Sequence, residues 1–392
     1  MAPELLEAIL HQKKMSMNRR DWIKNAAIAG GSLTLPSLMR AQAQPTAKKS
    51  GIGDSTYDFI NLSINENQWG PSPKAIKAME EKVRFAYEYP GVPFQKLRSE
   101  IAERSGVEAD QVLVGAGSSD ILMSTSYVFG KDNSSIVCSD PTFGDLIRWS
   151  KRHGTEIISI PWSEERKPDL PKILASIRED TGLIYICNPE NPTGTFLEKE
   201  ALKDFCREAS KKCPVFVDEA YIDFAADAES LTMMELVREG LPIIVCRTFS
   251  KAHGLGGMRI GYAVTSPEIA KQIGENYVSG VVGGSSHVSL EGARAAYADE
   301  EWISYVREQT KKVRDDFMSF CDSIGQEYIP SHTTFMLLPV KKDSKMIADT
   351  LYAATKIKIS PRMIHGQNYL RISMGNPAQM DLLKTGLRLV LS

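Results

Sequence analysis

The sequence predicts an α/β protein built on a mostly parallel sheet of seven strands. Short apolar runs recur between positions 112 and 264, and most are separated by segments with an apolar residue at every third or fourth position. The runs are continuously apolar, as expected of strands buried on both faces of a parallel sheet. In chain order the candidate strands are VLVG from Val112, SIVCS from Ser135, EIISI from Glu156, LIYIC from Leu183, VFVD from Val215, IIVCR from Ile243 and IGYAV from Ile260.

The segments that follow these strands are polar or rich in glycine. AGSSD follows the first strand, DPTFG the second, NPENPTG the fourth, EAYID the fifth and TFSKAHG the sixth. Parallel sheets bind ligands at the carboxyl ends of their strands. We therefore expect these segments to form one pocket at that edge of the sheet.

Three features of this edge carry chemistry when they are combined. The run GAGSS at 115–119 ends a strand and begins a helix, a geometry that binds anions such as phosphate. Asp218 closes an apolar strand, and Lys251 lies between an apolar run and a glycine-rich turn. Taken singly, these residues are compatible with a helix cap, a turn and a solvated surface charge.

Taken together, the amine, the carboxylate and the anion-binding helix start form the set that holds pyridoxal phosphate. The lysine forms a Schiff base with the aldehyde, and the aspartate keeps the ring nitrogen protonated. An aromatic side chain, Phe143 of DPTFG, is expected to stack on the ring. The residues expected to bind the phosphate are Ser118, Ser119, Ser250 and Arg259.

The order of the motifs NPENPTG, DEAY, SKAHGLGGMRIGY and YLRISMG resembles a class I/II aminotransferase of fold type I. Within that family, NENQWGPSP at 65–73, the pair Tyr89-Pro90 and GAGSSD most closely resemble the histidinol-phosphate aminotransferase branch. The resemblance covers roughly residues 57 to 390. It implies an enzyme that moves an amino group from an amino acid, or from a histidinol-phosphate-like amine, to a 2-oxo acid.

The resemblance also implies a role for each matching residue. Lys251 is the Schiff-base lysine and proton shuttle, Asp218 pairs with the pyridine nitrogen, and Asn191 and Tyr221 hydrogen-bond the ring oxygen. Arg371 matches the arginine that binds the substrate carboxylate, with a buried arginine neutralised by local carboxylates as the alternative. The cofactor phosphate is bound by Gly117, Ser118, Ser119, Ser250 and Arg259, and by Tyr89 of a neighbouring subunit in a homodimer.

Departures from the family pattern concern the substrate side. Phe143 stands where many relatives have tyrosine, and SPRMIHGQNYLRIS places Arg362 after Pro361 on a shortened connection. Trp69 and Asn67 lie on the loop that touches substrate in the family. We expect Arg362, Trp69 and Asn67 to contact substrate, and we favour a free amino acid, aromatic or otherwise bulky, as the donor.

Other reaction types on the same fold are alternatives. A decarboxylase or a carbon–sulfur lyase, or a pyridoxal-phosphate-binding protein without turnover, has nearly the same residues around its lysine. The formal charge of −2 and the lack of a basic extension give no reason to expect nucleic acid as a partner. The six histidines lack metal-ligand spacing, so we expect no metal site.

The first 43 residues have the composition of an export signal. Paired arginines, Arg19 and Arg20, precede a short apolar run that ends in Ala41-Gln42-Ala43, which resembles a twin-arginine signal peptide with its cleavage site. We expect a periplasmic protein without stable membrane association after cleavage, with the cytoplasm as the alternative. Residues 44–56 are expected to form a linker or arm, 75–275 a large cofactor-binding domain, and 57–74 with 276–392 a smaller α/β domain. The scattered cysteines predict no structural disulfide.

Overall fold

The computed structural model describes residues 56–131, 134–275 and 284–391, and the predicted export signal lies outside them. The strands are β1 (Ile60–Asn61), β2 (Val112–Gly115), β3 (Ser135–Asp140), β4 (Glu156–Pro161), β5 (Thr181–Cys187), β6 (Val215–Asp218), β7 (Ile243–Thr248), β8 (Gly261–Val264), β9 (Phe335–Val340), β10 (Ile357–Lys358), β11 (Ser360–Ile364) and β12 (Gln367–Ser373). The helices are α1 (Pro73–Lys82), α2 (Gly91–Ser105), α3 (Ser118–Phe129), α4 (Asp145–Arg152), α5 (Leu170–Ala175), α6 (Lys199–Ala209), α7 (Ala228–Leu231), α8 (Met234–Arg238), α9 (Pro267–Glu275), α10 (His287–Tyr297), α11 (Glu300–Ser323), α12 (Ser344–Thr355) and α13 (Pro377–Leu391).

A seven-stranded sheet in the order β2-β8-β7-β6-β5-β3-β4 forms the centre of the fold. β8 runs antiparallel to β2 and β7, and the other neighbours pair in parallel. All seven candidate strands are present, and the prediction of a mostly parallel seven-stranded sheet is confirmed.

Apart from the edge strand β4, whose residues are exposed or half-buried, the strands are continuously apolar because both faces of the sheet are covered. Along β6, Val215 and Val217 pack into one buried cluster, whereas Phe216 between them packs into another. Successive side chains of a strand point to opposite faces. A helix-covered sheet therefore needs apolar residues at every position, and the alternation of polar and apolar residues disappears.

A second group of strands lies apart from the central sheet. β11, β12 and β9 form an antiparallel sheet, and β1 pairs with β10 in parallel. Their apolar side chains surround a core of their own, which joins Leu62 near the start of the described chain to Phe317, Leu370 and Leu383. The described part of the chain forms one compact unit, so the predicted division into a large and a small domain stays a prediction.

Three further observations bear on the sequence-based expectations. All six cysteines are free and buried. Among the described residues, no cluster of histidine, cysteine or acidic side chains is arranged to hold a metal ion. Within the same ranges, no helix combines the length and apolarity needed to cross a membrane.

Candidate active site

Lys251 lies in the loop that follows β7, at the carboxyl edge of the central sheet. Its half-buried amine is 3.3 Å from the carbonyl oxygen of Asn65, 3.4 Å from that of Ile64, and 5.5 Å from the centre of the Tyr221 ring. Burial, followed by the positive charge of Arg371, lowers the pKa of the Lys251 amine from 10.5 to about 8. A substantial share of the amine is therefore neutral near physiological pH, as a nucleophile or a general base requires.

Asp218 ends β6 and is almost fully buried, with 1% of its surface exposed. One carboxylate oxygen accepts a hydrogen bond from the Tyr185 hydroxyl at 3.0 Å, and the other accepts one from the backbone N–H of Ala220 at 3.1 Å. Burial raises the pKa of Asp218 from 3.8 to about 6, and the two hydrogen bonds oppose that rise. A buried carboxylate of this kind is stabilised by a cationic partner, such as a protonated ring nitrogen.

The hydroxyl of Tyr221 is the meeting point of two asparagine side chains. It accepts hydrogen bonds from Asn65 Nδ2 at 2.8 Å and from Asn191 Nδ2 at 3.4 Å. Burial raises the pKa of Tyr221, so the phenol keeps its proton. With both amides donating to its oxygen, the hydroxyl is left to donate its own proton to an acceptor in the pocket.

The start of α3 supplies an anion site. Gly117 precedes the helix at φ 84°, and no side chain caps the first turn, which leaves backbone N–H groups available to an anion. Arg259 lies so close to Gly117 that an added Cβ would overlap its guanidinium. Arg259 also donates to Ser250 Oγ at 3.3 Å. An uncapped helix start, a glycine at positive φ and an arginine beside it together fit the phosphate of the predicted cofactor.

The two serines at this helix start have different surroundings. The backbone N–H of Ser118 lies against Gly261 of β8, where a Cβ would also clash, so strand and helix start approach closely. The Ser119 hydroxyl donates to Asp145 Oδ2 at 2.9 Å. Ser118 thus lies in the predicted cradle, whereas the Ser119 hydroxyl is engaged by a carboxylate.

Arg371 on β12 is a buried cation held by neutral groups. It donates to Asn191 Oδ1 and to the backbone oxygen of Ser63, both at 2.8 Å, and its Nε is buried without a partner. Within the described ranges it forms no ion pair with a carboxylate, which argues against a locally neutralised structural arginine. Burial, followed by the charge of Arg362, lowers the pKa of Arg371 to about 10. Such a group favours binding of an anion.

Other predicted residues lie outside this cluster or at its margin. Tyr89 is 94% exposed and does not join the cluster within one chain. Phe143 packs against the buried residues of one sheet face. Arg362 is exposed on β11. Asn67 donates to the backbone oxygen of Ala252 at 2.8 Å and accepts from the Trp69 N–H at 2.9 Å, which ties their loop to the loop of Lys251.

Two residues of the cluster were not predicted from the sequence as site residues. Asn65 takes φ 60° and is fixed by Ser373, whose hydroxyl donates to Asn65 Oδ1 at 2.9 Å. The sequence could have indicated Asn65, because asparagine is one of the few residues that tolerate a left-handed backbone and Asn65 is the first residue of the motif NENQWGPSP. Tyr185 lies inside an apolar strand, where an aromatic residue is indistinguishable from core.

Four features together define a fold type I pyridoxal-phosphate enzyme. They are the strand order of the central sheet, the loop that carries Lys251, the buried Asp218 and the anion site at the start of α3. Residues 57–386 match the family of class I and II aminotransferases, and the chain belongs to that family. Histidinol-phosphate aminotransferase of Akkermansia muciniphila is 31% identical over 86% of this chain and 90% of its own length. Histidinol-phosphate aminotransferase 2 of Haemophilus influenzae (strain 86-028NP) is 33% identical over 85% of this chain and 90% of its own.

Solved structures share the fold at lower identity. Histidinol-phosphate aminotransferase from Sinorhizobium meliloti, in complex with pyridoxal-5'-phosphate, superimposes with a TM-score of 0.77 at 24% identity and covers 93% of this chain and 96% of its own. Aspartate aminotransferase from Thermotoga maritima gives a TM-score of 0.73 at 21% identity, with 85% of this chain and 92% of its own covered. The protein is a pyridoxal-phosphate-dependent aminotransferase acting on amino acids and oxo acids.

Proposed function

We propose that the cluster around Lys251 is the active site of this aminotransferase and that its donor is a free amino acid. The observation that carries the proposal is the presence in one cluster of a lysine amine of lowered pKa, Lys251, and a buried arginine, Arg371, that has no carboxylate partner among the described residues. Lys251 holds the cofactor aldehyde, and Asp218 holds the ring nitrogen. Tyr221 and Asn191 bind the ring oxygen and Phe143 the ring face, while the phosphate is bound by Gly117, Ser118, Ser250 and Arg259 and by the backbone N–H of Ser119.

When bound, pyridoxal phosphate supplies a protonated ring that withdraws electrons from the substrate α carbon. The free amine of Lys251 would be the base that takes the α proton of the substrate, because burial and the charge of Arg371 bring its pKa to about 8. Asp218 keeps its negative charge next to the ring because Tyr185 and Ala220 both donate to the carboxylate. Asp218, Asn191 and Tyr221 are buried, which limits the access of water to this side of the site.

Arg371 orients the substrate by binding its α-carboxylate. Nη1 and Nη2 are held by Asn191 and Ser63, and each of these nitrogens keeps a second N–H that can donate to the substrate carboxylate. Arg362, Trp69 and Asn67 lie toward the rest of the substrate in this proposal. The charge of Arg362 reaches Arg371, since it contributes to the lowered pKa of the latter.

The active unit in this proposal is a homodimer. Tyr89 is 94% exposed, and Val83, Tyr87 and Val92 close to it in sequence are exposed at 59%, 80% and 67%. A surface of exposed large apolar side chains is typical of a protein–protein interface. We place Tyr89 of each subunit at the phosphate site of the other.

Export by the twin-arginine route is also part of the proposal. It is supported by Arg19 and Arg20 and by the Ala41-Gln42-Ala43 exit. A reporter that is active only outside the cytoplasm, fused to residues 1–56, should lose its signal when both arginines become lysine. Equal signal from both fusions would contradict export.

The experiment that tests the enzymatic proposal is a donor screen. Purified holoenzyme is mixed with single amino acids, aromatic ones included, and with histidinol phosphate, and its visible absorbance is recorded before and after a 2-oxo acid is added. We expect an amino acid to bleach the cofactor band and the oxo acid to restore it. Release of carbon dioxide or of a thiol without oxo-acid consumption would assign a decarboxylase or a lyase. Reversible bleaching by histidinol phosphate alone would overturn the choice of donor.

A further inference from the structure

The hairpin formed by β11 and β12 reaches across to the central sheet through its tip. The two-residue turn His365-Gly366 has φ 47° and 79°, the backbone of a tight hairpin turn. His365 Nε2 lies 3.0 Å from Asp140 Oδ2, at the point where β3 ends. Because these residues are 225 positions apart in sequence, this contact fixes the hairpin tip to the sheet edge.

Trp162, which follows β4, completes the receiving surface for the hairpin. Its backbone N–H donates to the carbonyl oxygen of Asp140 at 3.1 Å, so the ends of β3 and β4 are tied together. Its ring lies edge-on to His365 at 5.5 Å and edge-on to Tyr369 of β12 at 6.2 Å. The tip of the hairpin and its second strand, β12, therefore contact one aromatic side chain of the central sheet region.

The same hairpin carries the arginines of the substrate side. Arg362 pairs across the hairpin with Tyr369, and Ser360 pairs with Arg371. Alternate residues of a strand share a face, so Arg362, Tyr369 and Arg371 lie on one face of the hairpin. Ser344, at the start of α12, also holds the hairpin: its hydroxyl donates to the backbone oxygen of Arg362 at 3.2 Å.

The guanidinium of Arg362 has no ion pair or hydrogen bond with any part of the chain that the structure describes. The position of this charge is therefore set by the backbone that carries it, and that backbone is held at the tip by His365 and at the flank by Ser344. A shift of the tip moves Arg362 directly, and it moves Arg371 through the cross-strand pairing of β11 with β12.

We propose that His365 is a positioning residue: by bonding to Asp140 it sets the place of the β11–β12 hairpin and, with it, the substrate-binding geometry of Arg362. This inference rests on the proposed function of the site. It gives a structural role to the shortened connection in SPRMIHGQNYLRIS, which distinguishes this chain from the family pattern. Loss of the contact is expected to weaken substrate binding while leaving the chemistry at Lys251 intact.

The test compares His365→Ala with His365→Gln, because glutamine retains an N–H that reaches Asp140. We expect His365→Ala to raise the KM for the amino donor by up to about fivefold, the upper size of effect for an exposed charged pair, with little change in kcat. His365→Gln is expected to restore most of the loss. His153→Ala, which removes an exposed histidine outside this cluster, is the matched control and should behave as wild type.

Hydrogen–deuterium exchange of the holoenzymes tests the contact without relying on turnover. Backbone amides at 360–373 should exchange faster in His365→Ala, and adding Asp140→Ala to that variant should have no further effect because the same contact is already lost. Unchanged exchange and KM would overturn the proposal. It would also be overturned if His365→Gln behaved like alanine, or if kcat and cofactor loading fell together with substrate binding. Should wild type transaminate nothing, the proposed function fails, and the exchange data alone decide whether the contact holds the hairpin.

Discussion

Replacing Asp218 with asparagine is expected to stabilise the cofactor-free protein while it inactivates the enzyme. The carboxylate is buried, and its pKa is raised from 3.8 to about 6. Asparagine has the same shape and carries no charge. Its side-chain oxygen can accept from Ala220 N–H, and its NH2 can donate to the Tyr185 hydroxyl, which turns to accept.

The size and the pH range of the effect follow from the pKa. Because the pKa in the folded protein lies above the ordinary value, the folded state binds more protons between pH 3.8 and 6. Stability contributed by Asp218 therefore falls as the pH rises through this window and stays low above it. Each pH unit corresponds to about 1.4 kcal/mol, so ionised Asp218 lowers the free energy of unfolding by about 3 kcal/mol at neutral pH. Asp218→Asn should recover about that amount.

Urea unfolding of the cofactor-free proteins measures this difference. Wild type and Asp218→Asn are stripped of cofactor and unfolded at a series of pH values from 5 to 8. We expect the stability gain of the variant to grow with pH and to level off above pH 6, and we expect the loaded variant to lose most of its transaminase activity. Tyr185→Phe is the opposite control: it removes a donor that lowers the pKa of Asp218, so it should destabilise the protein most at high pH. A variant that is less stable than wild type at pH 7.5, or a gain independent of pH, would refute the reasoning.

Three other predictions address the lysine, the phosphate cradle and the substrate arginine. Lys251→Ala should abolish the visible cofactor band and lower kcat/KM by about two to four orders of magnitude, whereas Lys271→Ala, an exposed lysine, should change neither; retained activity would contradict the role of Lys251. Gly117→Ala should weaken cofactor binding in a spectroscopic titration because its Cβ overlaps Arg259. Gly240→Ala, with a similar φ of 79° and open space around it, should lower stability by about 1 kcal/mol and leave cofactor affinity intact. Arg371→Gln should raise the KM for an amino acid at least about thirtyfold and move the pH profile of kcat/KM to higher pH, since Arg371 lowers the pKa of Lys251; an unchanged KM would exclude a carboxylate contact.

The central sheet could be predicted from the sequence because its strands, apart from the edge strand β4, are buried on both faces. A run such as Val215–Asp218 carries that signal in every residue. The strands β10 and β11 show no such apolar pattern. β10 has only two residues, and β11 contains Pro361 and the exposed Arg362. Their pairing depends on contacts with distant segments, such as Ile60 with Ile357, which a local pattern does not contain.

The site was predictable where a residue type is unusual for its place in the chain. A carboxylate at the end of an apolar strand and an amine before a glycine-rich turn stand out, and the structure brings Asp218 and Lys251 to one edge. Tyr185 does not stand out, because a tyrosine in a buried strand is ordinary core until its hydroxyl is seen to meet Asp218. The contact of Arg371 with Asn191 spans 180 positions, and its existence depends on the tertiary fold alone.

The Arg371 guanidinium makes the proton affinity of the site depend on whether a substrate anion is present. Its charge lowers the pKa of both the Lys251 amine and the Tyr221 hydroxyl. A carboxylate bound to Arg371 offsets that charge, so the Lys251 amine becomes a stronger base when an amino acid is in place. By linkage, the protonated amine in turn favours the bound anion. In the proposed site, an amine that lacks a carboxylate would leave the pKa of Lys251 unchanged, so only a substrate with a carboxylate would make this lysine a stronger base.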